Sequence, residues 1–224
     1  MAAKTLFITG ASSGIGEATA RHAVAAGWNV ALCARRAERL EALSTELGEQ
    51  AIALPGDVTD LASLEAAVAR TVEAFGGLDA AFANAGIGLD TPGTVEGDPE
   101  EWRRLVDINV MGVLHTARAA IPELKKRKGT LVLTGSAAGR RHISGSIYGA
   151  TKWFVHGYAG NMAEEMREWG GRCAVVAPGM VDTPFFDEAK PDKLHPDDVA
   201  EAVLHIITAP SRASIREIYL MPQN

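Results

Sequence analysis

Thr5-Leu-Phe-Ile-Thr9-Gly10-Ala-Ser-Ser-Gly14-Ile-Gly16 sets a short run of strand-forming residues, a glycine-rich turn and the start of a helical stretch in immediate succession. Glycine lets the backbone turn tightly and come close to another group, and a helix N-terminus favours negative charge. Placed between a first strand and a first helix, such a turn reads as a cradle for the phosphates of a dinucleotide. The candidates are Gly10, Ser12, Ser13, Gly14, Ile15 and Gly16. Their spacing is G-x-x-x-G-x-G, which differs from the common G-x-G-x-x-G fingerprint.

The rest of the chain repeats this strand–helix order. Apolar runs predict strands over 5–9, 29–34, 51–54, 80–83, 130–134, 173–177 and 217–220. Helical patterning predicts helices near 15–26, 36–47, 60–75, 99–127, 149–169 and 196–208. Several strands are apolar throughout, as strands covered by helices on both faces must be. The pattern gives one α/β domain over 1–224 with a doubly wound parallel sheet. Gly27, Gly48 and Gly76-Gly77 stand where helices end, and Asp60 and Asp98 where N-caps belong.

Bulk composition narrows the function. The 224 residues are 47% hydrophobic and 22% charged, as in a globular protein with a substantial core. A net charge of -6 argues against nucleic acid, whose phosphates need a basic surface. No apolar run approaches the roughly 18 residues of a membrane-spanning helix, and no basic amphipathic stretch suggests a membrane surface. Strand-like residues begin at Thr5, so no signal peptide is expected. Cys33 and Cys173 sit in apolar runs and read as buried thiols, and the six histidines form no ligand-spaced cluster. A reducing cytoplasm and no metal are the expectation. Trp102 and Trp153 read as core or interface residues.

Tyr148 and Lys152, four apart, share one face of a predicted helix. An ammonium beside a phenol favours the phenolate, so the tyrosine pKa is expected to fall from about 10 towards the working pH. Such a tyrosine exchanges protons with a carbonyl or alcohol oxygen. Ser136 follows the strand 130–134 and belongs at its carboxyl end, where open α/β sheets bind ligands. At the end of the second strand an acidic residue would bond an adenosine ribose; Ala34-Arg35-Arg36 stands there instead. With no carboxylate to repel a 2′-phosphate and guanidinium groups to clamp it, NADP(H) is expected over NAD(H).

Together these features resemble the short-chain dehydrogenase/reductase family along nearly the whole chain. The motifs run in family order: Thr9-Gly10-x-x-x-Gly14-x-Gly16, Asp57, Asn84-Ala85-Gly86, Asn109, Ser136, Tyr148-x-x-x-Lys152, and Pro178-Gly179 with Thr183. The resemblance implies a single-domain Rossmann-type sheet and assigns roles. Tyr148 would be the general acid/base, Ser136 would polarise the carbonyl, and Lys152 would tune the tyrosine and hold the nicotinamide ribose. Asn109 would kink its helix and anchor a water in the proton relay. Asp57 and Val58 would flank adenine, and Asn84, Ala85 and Gly86 would lie beside the cofactor ribose. Pro178, Gly179, Val181 and Thr183 would contact the nicotinamide side. Ala83 stands where the family usually has an asparagine, with little functional cost expected.

The substrate loop is expected over about 180–194. Ala138, Ile143, Ser144, Met180 and Phe185 are the pocket candidates, while Arg140-Arg141-His142 reads as a solvated loop with contact to a polar substrate as the alternative. A homodimer or homotetramer through helices 99–127 and 149–169 is implied by the resemblance. The leading expectation is an NADPH-dependent carbonyl reductase acting on a small or medium ketone or aldehyde. Its rivals are an alcohol dehydrogenase running in the oxidising direction, or a regulatory protein that senses the dinucleotide without turnover.

Overall fold

Every residue of the first strand, β1 (Thr5–Thr9), is buried, which explains its unbroken apolar character. Leu6 and Ile8 face one side of the sheet and Phe7 the other, so successive residues feed two separate cores. The computed structural model describes residues 3–89, 91 and 93–223. It contains β1, α1 (Gly14–Ala25), β2 (Asn29–Ala34), α2 (Ala37–Leu47), β3 (Ala51–Pro55), α3 (Leu61–Phe75) and β4 (Ala80–Ala83). Then follow α4 (Pro99–Val106), α5 (Gly112–Arg127), β5 (Thr130–Thr134), α6 (Ile147–Arg167), β6 (Arg172–Pro178), α7 (Pro196–Thr208) and β7 (Glu217–Leu220).

All neighbouring strands pair in parallel, in the order β3-β2-β1-β4-β5-β6-β7. The order reverses between β1 and β4, and a crevice opens there at the carboxyl ends of the strands. Helices α3, α5 and α6 bury Leu64, Val68, Leu124 and Val155 against one face. Helices α1, α2 and α7 bury Ala20, Leu40, Val203 and Ile206 against the other. Cys33 and Cys173 are buried free thiols, as expected, and burial pushes both up to about 12.

The predicted boundaries hold where capping chemistry marks them. Asp60 and Asp98 accept the Ala62 and Glu100 amides at the starts of α3 and α4, and Gly27, Gly48 and Gly76 close α1, α2 and α3.

Three expectations need correction. The continuous helix patterned over 99–127 is broken into α4 and α5 by a π-helical segment, Asp107–Met111, centred on Asn109, where the resemblance placed a kink. Its cause is tertiary: Asn109 is pulled inward to bond another segment, and one extra residue per turn accommodates the displacement. The helix expected to begin at 149 begins at Ile147, because Ser146 accepts the Gly149 amide as an N-cap. Of the two readings of Trp153, core or interface, the core one fails: it is 43% exposed and stacks on His142 with ring centroids 5.3 Å apart.

Candidate active site

The turn after β1 is forced by close approach. Gly10 has φ +68°, and a Cβ there would fall 2.9 Å from Ala85 Cα. A Cβ on Gly16 would fall 2.3 Å from the Gly10 carbonyl oxygen, so this glycine serves helix–strand packing and does not line the cleft. Thr9 Oγ1 accepts the Asn84 amide at 3.1 Å, and Asn84 Nδ2 donates to the Thr9 carbonyl at 3.1 Å. Thr134 Oγ1 in turn donates to Asn84 Oδ1 at 3.3 Å. The carboxyl ends of β1, β4 and β5 are thereby tied to one asparagine, and the turn at Asn84-Ala85-Gly86 is rigid.

Along these strand ends runs one cleft of about 790 Å³. Its lining brings together Gly10, Ser12, Ser13, Gly14 and Ile15 from the first turn and Arg35 and Arg36 after β2. Asp57, Val58, Asn84, Ala85 and Gly86 extend it across the sheet, and Pro178, Gly179, Val181 and Thr183 close it from β6. Arg36 lies over the glycine turn, donating through Nη2 to Ser12 Oγ at 2.8 Å and to Ser13 Oγ at 2.7 Å. Its guanidinium pKa is lowered by burial and by Arg39 and Arg35 nearby, the situation of a cation cluster that gains from an anion. Asp57 Oδ1 accepts the Thr59 amide at 2.9 Å and shapes the loop after β3. A nicotinamide dinucleotide fits these residues: glycine backbone at Gly10 and Gly14 in the turn, and clustered positive charge at the adenosine end.

The other end of the cleft carries the reactive groups. Ser136, Ala138, Ile143, Ser144, Tyr148, Lys152, Met180 and Phe185 all line it. Ser136 Oγ accepts the Ala138 amide at 3.1 Å, which orients the hydroxyl. Tyr148 stands in the first turn of α6 and Lys152 one turn on. The expected lowering of the tyrosine pKa does not hold in the structure. Burial raises the Tyr148 phenol above its ordinary value, and a hydrogen bond from Ser136 opposes the rise without reversing it. Lys152, 5% exposed, donates to the Thr134 carbonyl at 2.8 Å and sits 5.7 Å from the centre of the Tyr148 ring. Burial pulls its ammonium down to about 8.

Asn109 lies beneath the cleft and does not line it. It is 1% exposed; its Oδ1 accepts the Ile87 amide at 2.9 Å while Nδ2 donates to the Ile87 carbonyl at 2.9 Å. Sequence reasoning singled out the residue but not this clamp. It also passed over Ser146, which caps the catalytic helix, and Thr151, whose Oγ1 donates to the Tyr148 carbonyl and receives Asn109 Nδ2. A serine placed directly before a helical pattern was the available signal for Ser146.

The segment 180–194, expected to face substrate, is closed at its base by a parallel bridge between Val181 and Leu194, and the Lys190 amide donates to Asp182 Oδ1 at 2.7 Å. Phe185 folds back to 5.8 Å from the Tyr148 ring and packs on Gly88. Arg140, Arg141 and His142 are all exposed, as a solvated loop requires; Arg140 pairs with Glu217, and Arg141 also borders the cleft. Among the described residues there is no cluster of His, Cys, Asp and Glu able to hold a metal, and no helix long and apolar enough to cross a membrane.

A dinucleotide cradle joined in one cleft to a serine, a tyrosine and a buried lysine defines an oxidoreductase of the Rossmann type. The profile of the short chain dehydrogenase family matches residues 4–194, and the chain belongs to that family. It is 34% identical to a serine 3-dehydrogenase of Agrobacterium fabrum over 98% of this chain and 94% of the relative. Among solved structures it resembles an alcohol dehydrogenase from the archaeon Thermococcus sibiricus complexed with 5-hydroxy-NADP. There the TM-score is 0.90 at 32% identity, covering 98% of this chain and 97% of that one. A 3-ketoacyl-(acyl-carrier-protein) reductase from Brucella melitensis complexed with NADH superposes with a TM-score of 0.89 at 28% identity, covering 97% of each chain.

Proposed function

We propose that the protein is an NADP(H)-dependent carbonyl reductase that transfers hydride to a small or medium ketone or aldehyde. The observation that carries this reading is the single cleft holding Arg35 and Arg36 at one end and Ser136, Tyr148 and Lys152 at the other. When bound, the cofactor supplies the hydride. The chain's own residues supply position and protons. Gly10, Ser12, Ser13 and Gly14 receive the pyrophosphate, Arg36 takes the 2′-phosphate, and Lys152 with the Asn84–Gly86 turn flanks the nicotinamide ribose.

Ser136 and Tyr148 hold the substrate oxygen between two hydroxyls, so that charge growing on oxygen is stabilised as it forms. Tyr148 then releases its proton to that oxygen. A phenol kept protonated by burial suits this direction, since the acid must carry its proton when the substrate arrives. The buried Lys152 ammonium favours the phenolate left behind. Phe185, folded over Tyr148, covers one side of the phenol.

A second reading is oxidation of a 3-hydroxy acid, as in the serine 3-dehydrogenase relative. Arg141 favours it, being an exposed cation in the lining of the cleft with no carboxylate bonded to it among the described residues. The exposed Val106, Met111 and Trp153 on the α4–α5 and α6 surfaces support a homodimer or homotetramer. Buried unpaired thiols fit a cytoplasmic setting.

The test is NADPH oxidation, followed by absorbance, against ketones, aldehydes and quinones, with NADH in parallel and NADP⁺ plus serine for the reverse reaction. Turnover that prefers NADPH and drops at least about a hundredfold in Tyr148→Phe is expected. Full activity in that variant ends the proposal, and turnover confined to serine selects the second reading.

A further inference from the structure

His156 lies one helical turn beyond Lys152 on α6 and has no part in the roles assigned above. Its side chain is 8% exposed and packs against the loop that carries Ser136. Nε2 stands 3.2 Å from the Ser136 carbonyl oxygen; a carbonyl only accepts, so Nε2 bears the hydrogen and donates it. The loop is cut to the shape of this ring. A Cβ on Gly135 would fall 2.7 Å from Nε2, and one on Gly139 would fall 2.6 Å from Cδ2. Neither glycine has a positive φ, so what each provides is space. Behind the ring, Nδ1 faces Glu217 Oε1 at 3.4 Å, and Glu217 accepts Nε of Arg140 at 2.8 Å. The segment 135–140 is therefore held from behind by α6 and by the first residue of β7.

We propose that His156 is the positioning residue for Ser136. It fixes the Ser136 peptide so that the hydroxyl, already accepting the Ala138 amide, aims its own hydrogen at the substrate oxygen. The Arg140–Glu217 pair holds the end of the same loop from the sheet edge. The catalytic meaning of this clamp rests on the function proposed above; the clamp itself does not.

Two substitutions separate its parts. His156→Leu fills similar space without a donor, whereas the amide of His156→Gln can still donate to the Ser136 carbonyl. In the NADPH-bound enzyme, amide hydrogen exchange across residues 135–140 is expected to quicken in His156→Leu and to stay near wild type in His156→Gln. Ketone reduction should lose about tenfold in kcat in His156→Leu with KM for NADPH within about twofold, and recover most of it in His156→Gln. In a Ser136→Ala background the Leu substitution should cost almost nothing more, because two residues acting through one hydroxyl are not additive.

Unchanged exchange in His156→Leu overturns the clamp. An equal loss of kcat in both backgrounds overturns the positioning role and makes His156 a packing residue. If Ser136→Ala keeps full turnover, the carbonyl-reductase reading falls, while faster exchange in His156→Leu still upholds the clamp.

Discussion

Asn109→Ala tests the link between the π-helical segment and the cofactor turn. The side chain makes two bonds of 2.9 Å to the Ile87 backbone and one of 3.3 Å to Thr151 Oγ1. At about 1 kcal/mol net for each, their loss destabilises the fold by about 3 kcal/mol. The Ile87 amide and carbonyl are only half buried, so water recovers part of their bonding and the cost stays at this level. For a chain of this size each kcal/mol moves Tm by about 2–4 °C, which gives a fall of about 6–12 °C. Cofactor affinity should fall as well, since Ile87 follows directly on Asn84, Ala85 and Gly86. Thr151→Ala removes only the longest of the three contacts on the asparagine and should cost about 1 kcal/mol. Thermal melts followed by circular dichroism, with and without NADPH, and a fluorescence titration of NADPH measure both effects. An Asn109→Ala protein that melts within 2 °C of wild type and binds NADPH equally well refutes the reasoning, because the turn must then be held by Thr9 and Thr134 alone.

Removing the Arg36 guanidinium in Arg36→Ala deletes a charged hydrogen-bonding partner for a 2′-phosphate, worth about 1.5–3 kcal/mol; KM for NADPH should rise about 10- to 100-fold with KM for NADH little changed, and equal rises for both would disprove the phosphate assignment. Lys152 titrates near 8 in the folded protein, so its charge is present below that pH and lost above it; kcat for reduction should decline as pH rises through about 8, and a flat profile to pH 9.5 would count against the lysine's electrostatic role. Cys33 and Cys173 are pushed up to about 12 from 9.0, so their contribution to stability is complete below pH 9 and is lost as pH rises towards 12. At pH 10 the two together should cost about 3 kcal/mol relative to pH 8, measured by urea unfolding, and the double variant Cys33→Ala/Cys173→Ala should lack this dependence.

Much of this architecture is legible in the chain because its signals are local. A strand buried on both faces writes itself as an apolar run, and Asp60, Asp98 and Gly48 mark helix ends through chemistry within two or three residues. The cofactor turn is equally local, a glycine pattern between a strand and a helix. What could not be read depends on contacts between segments distant in sequence. The break at Asp107–Met111 arises because Asn109 bonds Ile87, 22 positions away, and nothing in the helical pattern of 99–127 announces that partner. Arg36 is placed over Ser12 and Ser13 across 24 and 23 positions, so the pair Arg35-Arg36 gave the charge but not which residue would use it.

The tyrosine shows why spacing alone misjudges electrostatics. Four residues on a helix bring Tyr148 and Lys152 to one face, and in water the ammonium would simply pull the phenol down. In the folded chain both groups are desolvated, and desolvation acts on them in opposite senses, raising the phenol and lowering the ammonium. Each neutral form gains as the site dries, so the resting pair is driven towards neutral phenol and neutral amine. The Thr134 carbonyl, 2.8 Å from Nζ, works against the second of these by holding the lysine proton. A site of this kind resists forming phenolate until another positive charge enters it. An oxidised nicotinamide held beside Lys152 would supply one, and Tyr148 would then release its proton more readily. Under the proposed reductase reading, the same coupling would keep the proton on Tyr148 until charge appears on the carbonyl oxygen.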